Sequence, residues 1–180
     1  MKLNLKRPLA FFDLETTGTN IGVDRIVEIS IIKLHPEGTE EVKTWRKANQ
    51  IHKWFVDNVQ DGSDDCKTYH VSYEQLRSLL DLCEAVITAS KLVPGEVMAW
   101  EWWDRKTETW RPHLVPGKVI EDPTTAKALL PTFEGFFYGS YEYDQEYLND
   151  VIETRDWCRQ MLDDDAQRDV ESQIVYSSSW

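Results

Sequence analysis

The chain has 180 residues, 41% of them hydrophobic and 29% charged, with a net charge of −12. That is enough for one domain, or one with a small appendage, to bury a real core. No apolar run approaches the roughly eighteen residues of a membrane span, and the N-terminus lacks the apolar core and small-residue cleavage site of a secretion signal. Three widely spaced cysteines, Cys66, Cys83 and Cys158, form no Cys-x-x-Cys pair and read as reduced thiols of a cytoplasmic protein.

Residues 9–14 read as a buried strand, 18–24 as a turn containing Gly and Asn, 25–34 as a second strand, 35–38 as a hairpin turn and 40–45 as a third strand. Residues 47–60 place Ile51, Trp54, Phe55 and Val59 on one helical face. A polar loop, 61–65, follows. Ser72-x-x-Gln75 is a capping box that opens a helix with Leu76, Leu79, Leu80, Cys83, Val86 and Ile87 inward.

Two strands, 97–103 and 109–115, are joined by residues 104–108, with Val-Pro-Gly triplets at 93–95 and 115–117 as punctuation at both ends. Asp122-Pro123 predicts a short helix with Asp as N-cap and Pro at its first position; Leu130-Pro131 ends it. A Gly- and aromatic-rich stretch, 133–140, leads to a long acidic helix from about 143 to 163, and a short strand, 173–176, comes last. The fold class is α/β (α+β): an antiparallel meander packed with helices, plus a second small hairpin.

The densest chemistry lies in Phe11-Phe12-Asp13-Leu14-Glu15-Thr16-Thr17-Gly18. Side chains two apart on a strand share a face, so Asp13 and Glu15 project together while Phe12 and Leu14 face the opposite layer. Two adjacent carboxylates repel each other and are costly to bury unless a cation sits between them. A hard divalent ion that prefers oxygen ligands, Mg²⁺ or Mn²⁺, suits them.

Residues 10–38, AFFDLETTGTNIGVDRIVEISIIKLHPEG, resemble the first motif and first hairpin of the DEDD-superfamily 3′–5′ exonucleases, proofreading-type nucleases on a ribonuclease-H-like fold. The resemblance implies that Asp13 and Glu15 are catalytic metal ligands for Mg²⁺ or Mn²⁺. It implies that Thr16, Thr17 and Gly18 approach the terminal nucleotide, and that the reaction is hydrolysis at a nucleic-acid 3′ end. The family also needs an Asp in an apolar-His-Asn-x-x-x-Asp setting and a third Asp preceded by a His or Tyr base. This chain has no His-Asn dipeptide, and its one His-x₄-Asp pair, His52 to Asp57, has helical spacing beside Ile51 and Trp54. A two-metal site needs its full carboxylate set, so the expected activity is weak or absent. Asp64, Asp65, Asp104, Asp144 and Asp150 are the acids that remain to complete it. Each reads as a solvated surface charge, because Asp is mostly exposed.

Residues 45–60, 129–144 and 176–180 resemble a module of uncharacterised small bacteriophage proteins, with 91–121 as an insertion. The expected organisation is therefore an exonuclease-like β-meander over 1–45 and a helical phage-type module over 46–180 carrying the inserted hairpin, either as a chimera joined at Thr44-Trp45-Arg46 or folded as one compact domain. The setting would be the cytoplasm of a bacterial host. Charge is uneven: between Glu121 and Glu171 there are fourteen acidic and four basic residues, whereas the first 120 residues hold eighteen and sixteen. A phosphate backbone would be repelled by the C-terminal third, so nucleic acid would approach the N-terminal half. The rival reading is a non-catalytic accessory protein. Its acidic helix face, Asp144, Glu146, Asp150, Glu153 and Asp156, would bind a basic host nucleic-acid-binding protein.

Overall fold

The computed structural model describes residues 29–34, 40–45, 47–65, 67–133, 140–166 and 174–177. The expected strand at 9–14, the turn at 18–24 and the start of the strand at 25–34 lie outside them. Strand β1 (Ile29–Leu34) pairs antiparallel with β2 (Glu40–Trp45), Ile29 opposite Trp45 and Leu34 opposite Glu40. Helix α1 (Asn49–Asn58), strand β3 (Thr68–Val71) and helix α2 (Tyr73–Ala89) follow. Then come β4 (Leu92–Asp104), β5 (Thr109–Ile120), α3 (Thr124–Leu129), α4 (Gln145–Ala166) and β6 (Ile174–Ser177). The described strands form three antiparallel pairs, β1–β2, β3–β6 and β4–β5. The mixed α/β class read from the sequence is what the chain adopts.

Helix α2 starts where its capping box predicts. The Gln75 N–H donates to Ser72 Oγ at 3.1 Å, and the Ser72 N–H donates to Gln75 Oε1 at 2.8 Å. These two bonds satisfy backbone donors that a helix N-terminus otherwise leaves open. Leu76, Leu79, Cys83 and Val86 then fall on one face, all fully buried. They pack on α4, whose Val151, Cys158 and Met161 repeat the same helical period. Each such side chain contributes about 1.5–3 kcal/mol relative to exposure, so this helix pair is the backbone of the core.

The second half of the core surrounds α1. Ile51, Trp54 and Phe55 are buried as the period predicts. The Phe55 ring lies flat on Tyr176 of β6, centroids 3.9 Å apart and planes 6° apart. Trp45, at the end of β2, meets Trp157 of α4 edge-on at 5.1 Å and donates its indole N–H to Thr154 Oγ1 at 2.9 Å. A buried indole needs that partner, and it fixes β2 to α4.

Two expectations are corrected. The Val-Pro-Gly triplets do not bound the hairpin; they lie inside β4 and β5, which extend from Leu92 to Ile120 through one reversal. In a two-stranded ribbon both strands are edges, so Pro94 and Pro116 can lack an N–H without breaking an inner ladder. Gly95 sits opposite Gly117; a Cβ there would lie 2.7 Å from Val119 and one at Gly117 2.6 Å from Val97. The glycines leave room for Val119 and Val97 to lean diagonally over the Gly95–Gly117 pair. Helix α3 begins at Thr124, one residue later than predicted; Asp122 Oδ1 still accepts the Thr124 N–H at 3.0 Å, the kind of bond expected of its predicted capping role.

Candidate functional site

Asp13, Glu15, Thr16, Thr17 and Gly18, the predicted metal and terminal-nucleotide residues, lie outside the described residues. The acids considered as their complement are described, and each is engaged locally. Asp64 Oδ2 lies 2.9 Å from Nε2 of buried His52, whose Nδ1 is 2.7 Å from the Tyr176 hydroxyl. Asp65 accepts from Lys67 and from the Tyr69 hydroxyl; the Lys67 ammonium holds its carboxyl below the usual range. Asp104 accepts the Lys106 backbone N–H and the Arg111 Nε–H across the hairpin turn, and the Lys106 bond leads in lowering its pKa.

Asp144 and Asp150 are not surface charges. Asp144 is 5% exposed and its Oδ1 accepts the Tyr147 N–H at 3.0 Å, the role of an N-cap for α4. Asp150, one and a half turns later on the inner side of α4, accepts from Gln50 Nε2 at 3.2 Å. Burial pushes its carboxyl up to about 6; the Gln50 bond opposes that rise, and the charges of Glu153 and Glu146 add to it. On the expected acidic outer face, Glu153 pairs with Lys43 at 2.8 Å and Asp156 with Arg155 at 2.7 Å. That leaves a much smaller free acidic patch than the sequence suggests. Among the described residues, no three His, Cys, Asp or Glu side chains converge to hold a metal ion.

Asp150 borders a cleft of about 220 Å³ between the start of α1, residues 140–144 and the first turns of α4. Lys47 stands exposed at its edge with a left-handed backbone, φ 62°, a conformation that costs a non-glycine residue about 1–2 kcal/mol. Four carboxylates, Glu142, Asp144, Glu146 and Asp150, line it together with Gln50, Ser140 and Tyr147, so a phosphate backbone is repelled here.

The described parts of the three segments noted at 45–60, 129–144 and 176–180 meet around α1. Buried Asn49 accepts the Phe133 N–H at 2.9 Å through Oδ1 and donates to the Ser140 carbonyl at 3.1 Å through Nδ2. One amide thus clips together both ends of the aromatic stretch whose interior, 134–139, is outside the described residues. His52 and Phe55 meet Tyr176 in the same way. The signal for this convergence was the polar residues interrupting an apolar helix face, which sequence reading passed over. Cys83 and Cys158 are both fully buried and free. Burial raises both thiols, Cys83 to about 12, which makes them poor nucleophiles and poor metal ligands.

No described helix is long and apolar enough to cross a membrane. No protein-family model matches the chain, and no solved structure matches it. The chain is similar to oligoribonuclease of Arabidopsis thaliana, 26% identical over 132 residues that cover 73% of this chain and 55% of that protein. The chain thus spans about half the length of the curated relative it matches. A likeness of that length extends well past Trp45, where the exonuclease resemblance was expected to stop.

Proposed function

We propose that the protein acts on nucleic acid as a divalent-metal 3′–5′ exonuclease of low turnover, built on an incomplete carboxylate site. The observation that carries this reading is the Asp13-Leu14-Glu15-Thr16-Thr17-Gly18 run in a chain similar to an oligoribonuclease over 132 residues. Asp13 and Glu15, two apart in an apolar run whose sequence reads as a strand, carry two hard oxygen donors, the donor chemistry that Mg²⁺ or Mn²⁺ takes. Such an ion, when bound, supplies charge stabilisation at a scissile phosphate. By the exonuclease resemblance, Thr16, Thr17 and Gly18 are the residues that would grip the terminal nucleotide. Low turnover follows from the engagement of Asp64, Asp65, Asp104 and Asp144 in ion pairs, turns and a cap, and of Asp150 in a hydrogen bond from Gln50.

Residues 1–45 are read as the exonuclease-like meander and 46–180 as a helical module with β4–β5 inserted. Supporting the insertion, the ribbon enters and leaves at one point: Leu92 pairs with Ile120, and the Glu121 N–H donates to the Lys91 carbonyl at 2.8 Å. Titration calorimetry with Mn²⁺ tests the metal reading independently of activity. Binding heat is expected for the parent and should vanish in Asp13→Asn; equal heats in the two proteins remove the site.

A further inference from the structure

The β4–β5 ribbon holds four of the chain's eight tryptophans in its distal half, and all four are exposed: Trp100 54%, Trp102 43%, Trp103 46% and Trp110 60%. Cross-strand pairing explains part of this. Trp100 stacks on His113 opposite it, centroids 4.8 Å apart, on one face, and Trp103 meets Trp110 edge-on at 5.6 Å on the other. Such pairs stabilise a ribbon that has no layer behind it. They do not account for Trp102, which shares the face of Trp100, lies opposite Arg111 and has no ring partner among the described residues. Nor do they account for how much ring surface stays in water.

The charge around these rings differs from that of the rest of the chain. Residues 100–113 carry three basic side chains, Arg105, Lys106 and Arg111, and three acidic ones, Glu101, Asp104 and Glu108, a net of zero, so the whole −12 lies on the rest of the chain. Arg105 and Lys106 at the tip make no side-chain ion pair among the described residues, while Arg111 is held by Asp104 at 3.0 Å. A polyanion repelled from the acidic remainder meets its least unfavourable field at this tip.

We propose that the face of the β4–β5 ribbon bearing Trp100, Trp102 and Arg111 is a docking platform for single-stranded nucleic acid. Bases stack on the rings, while Arg105 and Lys106 contact phosphates. Residues two apart on a strand are separated by about 6.8 Å, so Trp100 and Trp102 present successive π-surfaces along a strand's path. Aromatic stacking tolerates any base, because every base has a π-face. The platform rests on the nucleic-acid reading above and adds to it a contact remote in sequence from Asp13 and Glu15.

The test uses the full chain in EDTA, which separates binding from turnover. A 5′-fluorescein-labelled oligo(U) twelve-mer is titrated while its anisotropy and the protein's Trp emission are followed. We expect quenching and saturable binding, weakened roughly five- to hundredfold by Trp102→Ala. The logarithmic salt dependence should fall from about −1.4 toward zero in Arg105→Gln/Lys106→Gln, the loss of about two phosphate contacts on a single strand. The exciton band of the Trp103–Trp110 pair in circular dichroism should survive in both variants, showing an intact ribbon. Unchanged affinity in both variants overturns the proposal. So does a parent that shortens 3′ ends yet shows no ribbon-dependent binding, which leaves the exonuclease reading standing. A concentration-dependent dimer abolished by Trp102→Ala, with no oligonucleotide binding, overturns it in favour of a second copy as the occupant. Ribbon-dependent binding in a protein with no metal-dependent turnover supports the platform and removes the exonuclease.

Discussion

Replacing Asp150 with Asn should make the protein more stable at neutral pH, although it removes a residue beside a cleft. Asp150 is pressed between α4 and the start of α1 with Gln50 as its hydrogen-bond partner, and burial lifts its carboxyl from the ordinary range to about 6. Asn keeps an oxygen acceptor for the Gln50 amide and has no charge to desolvate. The rise from 3.8 to about 6 corresponds to about 3 kcal/mol between the two protonation states. Partial solvent contact trims this to about 2 kcal/mol. Because the folded pKa lies above the unfolded one, the folded state binds the extra proton between about pH 4 and 6. Stability from this group is therefore full below pH 4 and is lost as pH rises through about 6. Thermal unfolding followed by circular dichroism at pH 4.5 and 7.5 measures it. At this chain length, Asp150→Asn should raise Tm by about 4–8 °C at pH 7.5 and by much less at pH 4.5. A variant less stable than the parent at pH 7.5, or an equal gain at both pH values, refutes the reasoning.

Tyr176→Phe keeps the ring stack on Phe55 but strips the hydroxyl 2.7 Å from buried His52 Nδ1; a loss of about 1–3 kcal/mol is expected in urea unfolding. Gln60 is 1% exposed with neither side-chain polar atom hydrogen-bonded among the described residues, so Gln60→Met should stabilise the chain by about 1–2 kcal/mol in the same assay. Ser72→Ala removes one half of the α2 capping box and should cost about 1 kcal/mol, read as a lower urea midpoint at constant slope.

What the sequence made legible was local. The capping box at Ser72, the α1 face of Ile51, Trp54 and Phe55, and the buried stripe of α2 each depend on a few neighbouring residues. The Val-Pro-Gly triplets misled because proline and glycine are read as breakers. Here their cost is removed by context: a ribbon with two edges, and two glycines facing each other so that Val97 and Val119 can lean over the pair. Asp144 and Asp150 were misplaced for a similar reason. An acidic helix suggests an acidic surface, yet which carboxylate turns inward is set by what lies opposite, and Gln50 is 100 residues away. The His52–Tyr176 contact spans 124 residues: a polar residue on the apolar α1 face marks one end, but nothing local identifies the other. At the candidate site, the pairing of Asp13 and Glu15 is an expectation from strand periodicity, and both lie outside the described residues. Completion of a metal site depends on long-range approach, which no spacing in this chain encodes.

The most direct measurement is the fate of a 3′-labelled single-stranded oligoribonucleotide incubated with the parent and with Glu15→Gln in Mn²⁺. The account predicts slow, metal-dependent shortening from the 3′ end by the parent and none by the variant. Equal shortening by both proteins, or none by either, contradicts it.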